Sequence, residues 1–303
     1  EGYLDVSGPL IEFQSPTPVD NAAVSVNSVE INTSITESNL TDLIYNWNGT
    51  NFTMYNESLV LMMNFDNVSA LGENDTHVFD IGQWELNGTL GEAADADSGA
   101  TSSGKYNGAF EFDGSGDEID LGNDPKVRIT APITLSAWFK ADTYDTSSRN
   151  MISKDGNGFE GYSIRIHGLS SRGICCISGS SYILNTGVEP NIGQWYHVVL
   201  TDDGTSLKCF IDGIQKGSTG SDPVIDSTVN LFIGDGFDGM IDEARIYNRA
   251  LTADEVYQQY VTNLRKIDSD SWELYVNQSL NATDVLDETV YNYTVYGMDS
   301  VNN

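Results

Sequence analysis

Apolar and polar residues alternate with a period of two along many short stretches of this chain, for example at residues 110–112, 119–121, 133–137 and 164–166. This period is that of a β-strand buried on one face. Asp-Gly pairs such as Asp113-Gly114 interrupt the alternation, and such pairs suit tight reversals. The pattern therefore predicts an all-β protein built of short antiparallel strands packed as a sandwich.

One segment has a different pattern. Residues 251–263 favour a helix that starts at a capping box, in which Thr252 and Glu255 each satisfy an exposed amide of the first turn. We expect no second helix.

The charge balance restricts the partners. The 303 residues include 14 Lys and Arg against 45 Asp and Glu, which gives a formal net charge of −31. Such a surface repels nucleic acid and anionic membranes and attracts divalent cations. No apolar run approaches the roughly 20 residues that span a bilayer. The length predicts more than one core.

Three cysteines are too few for a disulfide framework. Cys175 and Cys176 are adjacent, so in a strand they point to opposite faces and at most one can face Cys209. We expect all three to be buried small side chains. His77 and the other two histidines show no metal-ligand spacing with the cysteines, which disfavours a Cys/His metal site.

Five segments, in order, resemble a laminin G-like (concanavalin A-like) jelly roll. They are GAFEFDG followed by EIDL (108–121), ITLSAWFK (133–140), WYHVVL (195–200), LKCFIDG (207–213) and FDGMIDEARIYNRAL (237–251). The resemblance implies a jelly-roll domain at residues 57–262.

Asn-x-Ser/Thr triplets are concentrated at both ends of the chain. None lies between residues 91 and 270, although nine asparagines do. The excess indicates N-glycosylation on exposed segments of an extracellular, cell-surface protein. The candidate sites are Asn32, Asn39, Asn48, Asn51, Asn56, Asn67, Asn74, Asn87, Asn277, Asn281 and Asn292.

The two ends together resemble one immunoglobulin-like module of prokaryotic, especially archaeal, surface proteins. Residues 11–18, 24–36 and 42–47 resemble its opening strands, and 272–276 with 289–299 resemble later ones. Neither end forms a stable sheet alone. We therefore expect a discontinuous immunoglobulin-like domain, residues 9–56 and 263–303, that is interrupted by the jelly roll.

This module lacks its last strand, while residues 1–8 form an additional N-terminal strand. Within it, Leu4 and Val6 share one face and Tyr3 and Asp5 share the other. Donor-strand complementation, in which Tyr3–Val6 of one copy complete the sheet of the next, would join copies head to tail into a filament. The alternative is truncation of a tandem array, with residues 1–7 as the tail of a preceding module.

The resemblance also implies a structural Ca²⁺ ion, which needs six to eight oxygen ligands. By position in the motifs the ligands would be Asp66 and Asp242, with Asp80 as a third. The usual serine is missing from the motif at Asp80.

We predict a glycosylated structural subunit of an extracellular filament or surface layer, and not an enzyme. The alternative is a carbohydrate-binding adhesin module, with Trp84, Phe159, Tyr162 and Tyr182 as candidate sugar platforms. Glycoside hydrolysis is the least favoured function because Glu111 and Asp113 are followed by Gly-Ser-Gly and lack a second glutamate at the needed spacing.

Overall fold

A computed structural model describes residues 8–91, 98–143, 147–155, 161–167, 173–179, 182–221, 224, 228–280, 290–301 and 303. The described residues form two compact units. Unit 1 comprises those within Glu1–Glu57 and Val261–Asn303, and unit 2 those within Ser58–Tyr260. The expected donor strand, Tyr3 to Val6, and the sequon at Asn281 lie outside the described residues.

Unit 2 contains two antiparallel sheets. The first has eight strands in the order β15-β14-β13-β12-β19-β10-β7-β6. Their bounds are β6 (His77–Val78), β7 (Gly88–Leu90), β10 (Ile119–Asp120), β12 (Arg149–Ser153), β13 (Tyr162–His167), β14 (Gly173–Ser178), β15 (Tyr182–Asn185) and β19 (Phe232–Ile233).

The second sheet of unit 2 has the order β18-β17-β16-β11-β20-β9-β8, and β5 also pairs with β20. Its strands are β5 (Leu59–Met63), β8 (Gly99–Thr101), β9 (Ala109–Asp113), β11 (Ile133–Ala141), β16 (Trp195–Asp202), β17 (Ser206–Ile211), β18 (Ile214–Gly220) and β20 (Asp238–Tyr247). Two 3-10 turns, Ser69–Leu71 and Pro125–Val127, lie in the loops.

The inner faces of these two sheets enclose one hydrophobic core, to which Phe110, Phe139 and Ile164 belong. A disulfide bond between Cys176 of β14 and Cys209 of β17 crosses this core, with a Cα–Cα distance of 5.9 Å. The expectation that all cysteines are merely buried small side chains is therefore wrong for this pair. The prediction that at most one of the two adjacent cysteines faces Cys209 is correct, since Cys176 does so. Cys175 is buried and free.

Unit 1 contains a four-stranded sheet, β1-β2-β22-β21, and a three-stranded sheet, β23-β3-β4. The strands are β1 (Leu10–Gln14), β2 (Ser28–Thr36), β3 (Leu40–Trp47), β4 (Thr50–Tyr55), β21 (Thr262–Lys266), β22 (Ser271–Ser279) and β23 (Tyr293–Asp299). Tyr45 and Trp272, from different sheets, are fully buried in its core. The indole N–H of Trp272 donates to the Glu37 carbonyl at 3.1 Å.

The helix is shorter than the sequence predicts. Helix α1 spans Ala253–Tyr260, and Thr262 already begins β21. The capping box is present: Thr252 N–H donates to Glu255 Oε2 at 2.9 Å, and Glu255 N–H donates to Thr252 Oγ1 at 3.3 Å. No helix among the described residues is long and apolar enough to cross a membrane.

Candidate functional site

Strand β20 changes partner halfway along one edge. Its first half pairs with β9, where Ile241 opposes Phe110, and its second half pairs with β5, where Ala244 opposes Met63. The end of β5 and the start of β9 therefore meet beside Asp242-Glu243, which lie between the two pairings. This topology brings together segments that are far apart in the sequence.

A β-bulge places both acidic residues on the same side of β20. Ile241 and Ala244 both belong to the core, so the alternation is reset between them. The register with β11 shifts at this point, and Glu243 has the left-handed φ of 53°. Consecutive strand residues normally face opposite sides, so the bulge is what turns both Asp242 and Glu243 to the same side.

We call the resulting cluster the acidic junction, defined as Asn64, Asp66, Asp242, Glu243 and Arg245. Glu243 is held from two sides, by Asn64 Nδ2 at 2.6 Å and by Arg245 Nη2 at 2.5 Å. Both Asp242 and Glu243 are buried. A buried carboxylate needs such partners because burial removes its hydration.

The loop before β9 closes the acidic junction. Tyr106 N–H donates to Asp242 Oδ2 and Gly108 N–H donates to Asp66 Oδ1, each at 3.0 Å. Position 108 requires glycine, because a Cβ there would lie 2.5 Å from the Phe65 carbonyl oxygen. The sequence provides this close approach with the Gly108 that opens the GAFEFDG motif.

Negative charge accumulates at the acidic junction. Burial, followed by repulsion from Glu243, raises the pKa of Asp242 well above its usual value. The pKa of Glu243 is raised to about 7, chiefly by burial; Arg245 opposes this shift and the charge of Asp66 adds to it. The junction therefore favours an added positive charge or a proton.

Asp66 and Asp242 of the acidic junction are the two carboxylates that the sequence predicts as ligands of a cation. Oδ1 of Asp242 is buried and has no well-aligned hydrogen-bond partner in the part of the chain that the structure describes. Carboxylate oxygens of this kind suit Ca²⁺. Among the same described residues, no three His, Cys, Asp or Glu side chains form a metal-binding group.

Asp80 has a different role. Its buried carboxylate accepts three backbone N–H bonds, from Met62 at 2.9 Å, Gly82 at 2.8 Å and Leu86 at 3.0 Å. These bonds fasten its own turn to β5. The structure thus brings Asp66 and Asp242 together and assigns Asp80 to a turn.

The outer face of β11 and β16, beside the acidic junction, carries a second buried polar group. His197 Nε2 lies 2.9 Å from Ser136 Oγ, and the His197 ring lies 5.1 Å from that of Trp138. The pKa of His197 is lowered to about 3, chiefly by burial and in addition by the positive charges of Arg245 and Lys105. His197 is therefore neutral at physiological pH and has a structural role.

The outer face of the first sheet of unit 2, which contains β12 and β13, carries a polar cluster. We call it the polar face, and it consists of Asn150, Ser163, Arg165 and His167. Arg165 opposes Asn150 in the register of β12 and β13. Three buried atoms, Asn150 Oδ1, Ser163 Oγ and His167 Nδ1, have no hydrogen-bond partner within the described ranges. Buried polar groups are normally paired, so such atoms favour a polar ligand.

Of the aromatic residues expected to bind sugar, the two whose side chains the structure describes, Tyr162 and Trp84, do not form an exposed platform. Tyr162 is buried and donates its hydroxyl to the Val127 carbonyl. Trp84 packs against the core, with the Lys126 ammonium 3.3 Å from its ring centroid. Phe159 and the side chain of Tyr182 lie outside the described part of the structure.

The sequon asparagines are accessible. Of the ten that the structure describes, two, Asn32 and Asn56, are half-buried and the others are exposed. The exposed ones are Asn39, Asn48, Asn51, Asn67, Asn74, Asn87, Asn277 and Asn292.

Strand β23 lies at a sheet edge of unit 1 in the part of the chain that the structure describes. Among the described residues β23 pairs with β3 alone, so its other edge has no ladder partner. Edge strand β1 of the other sheet lies beside it, with the Phe13 and Tyr293 rings edge to face at 5.3 Å. Tyr296 and Met298 of β23 are exposed, which is unusual for large apolar side chains clustered on one strand.

Comparison with protein families identifies part of unit 2. Residues 113–257 match the concanavalin A-like lectin/glucanases superfamily. With the two antiparallel sheets, this match confirms the predicted all-β fold with a concanavalin A-like sandwich. No curated protein matches the chain.

Solved structures share the fold at low sequence identity. Domain 4 of AbnA, a GH43 extracellular arabinanase from Geobacillus stearothermophilus in complex with arabinotriose, has a TM-score of 0.52 and 23% identity, over 66% of this chain and 97% of that one. The botulinum neurotoxin serotype G binding domain has a TM-score of 0.50 and 17% identity, over 67% of this chain and 50% of that one. Trypanosoma rangeli sialidase has a TM-score of 0.50 and 15% identity, over 69% of this chain and 33% of that one.

Sequence reasoning missed three residues of the acidic junction and the disulfide. Asn64, Glu243 and Arg245 hold the acidic junction together, and Cys176 and Cys209 form the disulfide. Two adjacent acids in an otherwise apolar strand were the available signal for the bulge. The disulfide had no comparable local signal, because its two strands lie in different sheets.

Proposed function

We propose that this protein is a glycosylated structural subunit of an extracellular filament or surface layer, and that copies join by adding a strand to the open edge of β23. The open edge is the observation that carries the proposal. An unpaired strand edge is a template for a strand of another chain, and proteins normally protect it.

Unit 1 is, in this proposal, an immunoglobulin-like sandwich with an unfilled strand position beside β23. The Tyr3–Val6 segment of a neighbouring copy fills the vacancy head to tail. Burial of Leu4 and Val6 would contribute roughly 3 to 6 kcal/mol from apolar transfer, before the cost of ordering the strand. The backbone ladder along β23 would set the direction.

The extracellular location is supported by two features. Eight described sequon asparagines are exposed, and a disulfide joins the two sheets of unit 2. Disulfides persist in oxidising compartments, and N-glycans are attached to exported chains. Mass spectrometry of native protein should find glycans at these asparagines; unmodified asparagines throughout would remove this support.

Deletion of residues 1–7 tests strand addition. We expect the truncated protein to keep the thermal transition of unit 2 and to lose polymer formation in electron micrographs. Two point variants give a finer test. L4D/V6D places charges on the face that the neighbouring copy would bury, and D5N changes the opposite face as a control. Normal polymers of the truncated protein would exclude strand addition and favour the tandem-array alternative.

A calcium ion at Asp66 and Asp242 is part of the proposal. It would supply the positive charge that the buried carboxylates favour, and so stabilise unit 2. At a hundred times its dissociation constant, a ligand stabilises the folded state by about 2.7 kcal/mol. Chelation should lower the melting temperature of wild type and of Asp80→Asn, and should have no effect on Asp242→Asn. An unchanged wild-type transition would exclude calcium.

Glycan binding is a second candidate, supported by the unpaired atoms of the polar face. Sugar hydroxyls donate and accept hydrogen bonds and suit such a mixture. Arabinotriose is the first probe, followed by a glycan array. Asn150→Ala and His167→Ala should each weaken binding, whereas the exposed His77→Ala should not. No catalytic role is proposed.

A further inference from the structure

Two sequons from opposite ends of the chain meet at one end of unit 1. Asn48 N–H donates to the Asn292 carbonyl at 2.8 Å, and Asn292 N–H donates back to the side-chain Oδ1 of Asn48 at 3.1 Å. Both asparagines are exposed. They meet because Asn48 follows β3 and Asn292 precedes β23, and Trp47 opposes Tyr293 at this end of the ladder between the two strands.

An aromatic residue precedes each of these asparagines. The rings of Trp47 and Tyr291 stack, with their centroids 5.3 Å apart and an angle of 18° between their planes. Both side chains are only half-buried. Stacked rings cover one face of each other, so the part that stays exposed can pack against a further group with an apolar face. Within the described residues, folding alone leaves this ring pair partly uncovered.

The side chain of Asn48 is held in one orientation. Asn48 and Gly49 form the two-residue turn between Trp47 and Thr50, and both have the left-handed φ that such a turn requires, 53° and 86°. Because Asn48 Oδ1 is fixed by the Asn292 N–H, its Nδ2, the atom that carries an N-glycan, has a set direction. A sugar on an ordered atom loses less freedom when it packs against the protein.

We propose that the N-glycan of Asn48 packs over the stacked rings of Trp47 and Tyr291 and covers this end of unit 1. The inference rests on the proposed N-glycosylation and gives one of the glycans a structural role. The glycan starts next to both rings, since Asn48 adjoins Trp47 in the chain and is hydrogen-bonded to the residue after Tyr291. One face of a pyranose consists of C–H groups, which pack on an aromatic ring while the hydroxyls stay in water.

The third residue of each sequon allows a matched comparison in which the asparagines stay unchanged. Thr50→Ala removes the Asn48 sequon and Thr50→Ser keeps it, at an exposed position. Thr294→Ala removes the Asn292 sequon instead. Wild type and the three variants are made in the native host, and glycopeptide mass spectrometry measures the occupancy of both asparagines in each protein.

Two measurements report on the ring pair. Oxidative footprinting should show faster oxidation of Trp47 in Thr50→Ala than in Thr50→Ser, while the half-buried Trp195 of unit 2 should be unchanged. The melting temperature of unit 1 should fall by about 4 to 8 °C in Thr50→Ala, the shift that loss of one aromatic stacking contact causes in a domain of this size.

The same Thr50 variants made in a host without N-glycosylation are the control. There Trp47 should be oxidised at equal rates in both, and any remaining difference in melting temperature measures the substitution itself and is subtracted.

Equal oxidation of Trp47 in glycosylated Thr50→Ser and in Thr50→Ala would overturn the proposal. Faster oxidation of Trp47 in Thr294→Ala alone would overturn the assignment to Asn48. An unmodified Asn48 in wild type would also overturn the proposal, and glycans at other sequons would then leave the proposed glycosylation intact. Absence of glycans at every sequon would remove both.

Discussion

The two units manage apolar surface in different ways. Unit 2 encloses a large core between two sheets and fastens them with a disulfide. Unit 1 has roughly half as many residues, but among the described residues it exposes more large apolar side chains. In unit 1 the exposed ones are Leu10, Phe13, Val19, Val24, Val26, Ile267, Val290, Tyr296, Met298 and Val301; in unit 2 they are Ile183, Ile192 and Ile214.

In the part of the chain that the structure describes, unit 1 therefore leaves more apolar surface uncovered than unit 2 does. Sequons follow the same division, since eight of the eleven lie within unit 1. Glycans hydrate exposed segments and limit unwanted association. In the proposed assembly, unit 1 is the part of the molecule that contacts another copy, through the edge of β23.

Trp272→Ala is the most severe test of unit 1. Its side chain is 2% exposed and packs against Tyr55, with the two ring centroids 5.1 Å apart. Loss of a buried Trp costs about 3 to 5 kcal/mol, which is a large part of the stability of a small domain. We expect calorimetry to show that the thermal transition of unit 1 is lost and that the transition of unit 2 is retained. Trp47→Ala, which is half-buried, should cost less; equal losses would mean that Trp272 is not central to this core.

The disulfide tests unit 2. Cys176→Ser with Cys209→Ser opens a loop with a sequence separation of 33. Closing a loop of this size contributes about 3 to 4 kcal/mol. We expect denaturation to show this loss in unit 2 alone. Cys175→Ser, which alters the buried free thiol, is the control; an equal loss there would point to packing rather than to the cross-link.

His197 should make unit 2 sensitive to acid. Its pKa falls from 6.5 to about 3 on burial, so below pH 6.5 the unfolded chain binds a proton that the folded chain does not. Stability is full above pH 6.5 and falls as the pH decreases towards 3, by about 2 kcal/mol at pH 5. His197→Gln should remove this slope between pH 7 and 5. The exposed His77→Gln should not, and an unchanged slope in His197→Gln would refute the assignment.

Phe13→Ala has the smallest expected effect. The edge-to-face contact with Tyr293 joins the edge strands of the two sheets in unit 1. Such a pair contributes about 0.5 to 1.5 kcal/mol beyond apolar burial. Chemical denaturation should show this loss in unit 1 and none in unit 2. Val19→Ala, whose side chain is 78% exposed, should be neutral; a matching loss would show that Phe13 acts through general surface hydrophobicity.

The strands and the helix cap were predictable because they depend on local chemistry. The apolar residues of the alternating segments 133–137 and 164–166 face the core in β11 and β13. Thr252 and Glu255 satisfied the first amides of α1 as expected. In each case the interacting groups lie within a few residues, so sequence spacing fixes their geometry.

The acidic junction and the disulfide depended on tertiary structure. Asp66 and Asp242 were named by resemblance, but the bulge that turns Glu243 to the same side arises where β5 and β9 meet along β20. Cys176 was paired with Cys209 by the packing of one sheet on the other. Period-two alternation specifies which side of a strand a residue faces, whereas a bulge and a sheet-to-sheet contact depend on partners far away in the sequence. For that reason the sequence alone determined the class of fold, and only the tertiary structure decided which charged and sulfur-bearing groups met.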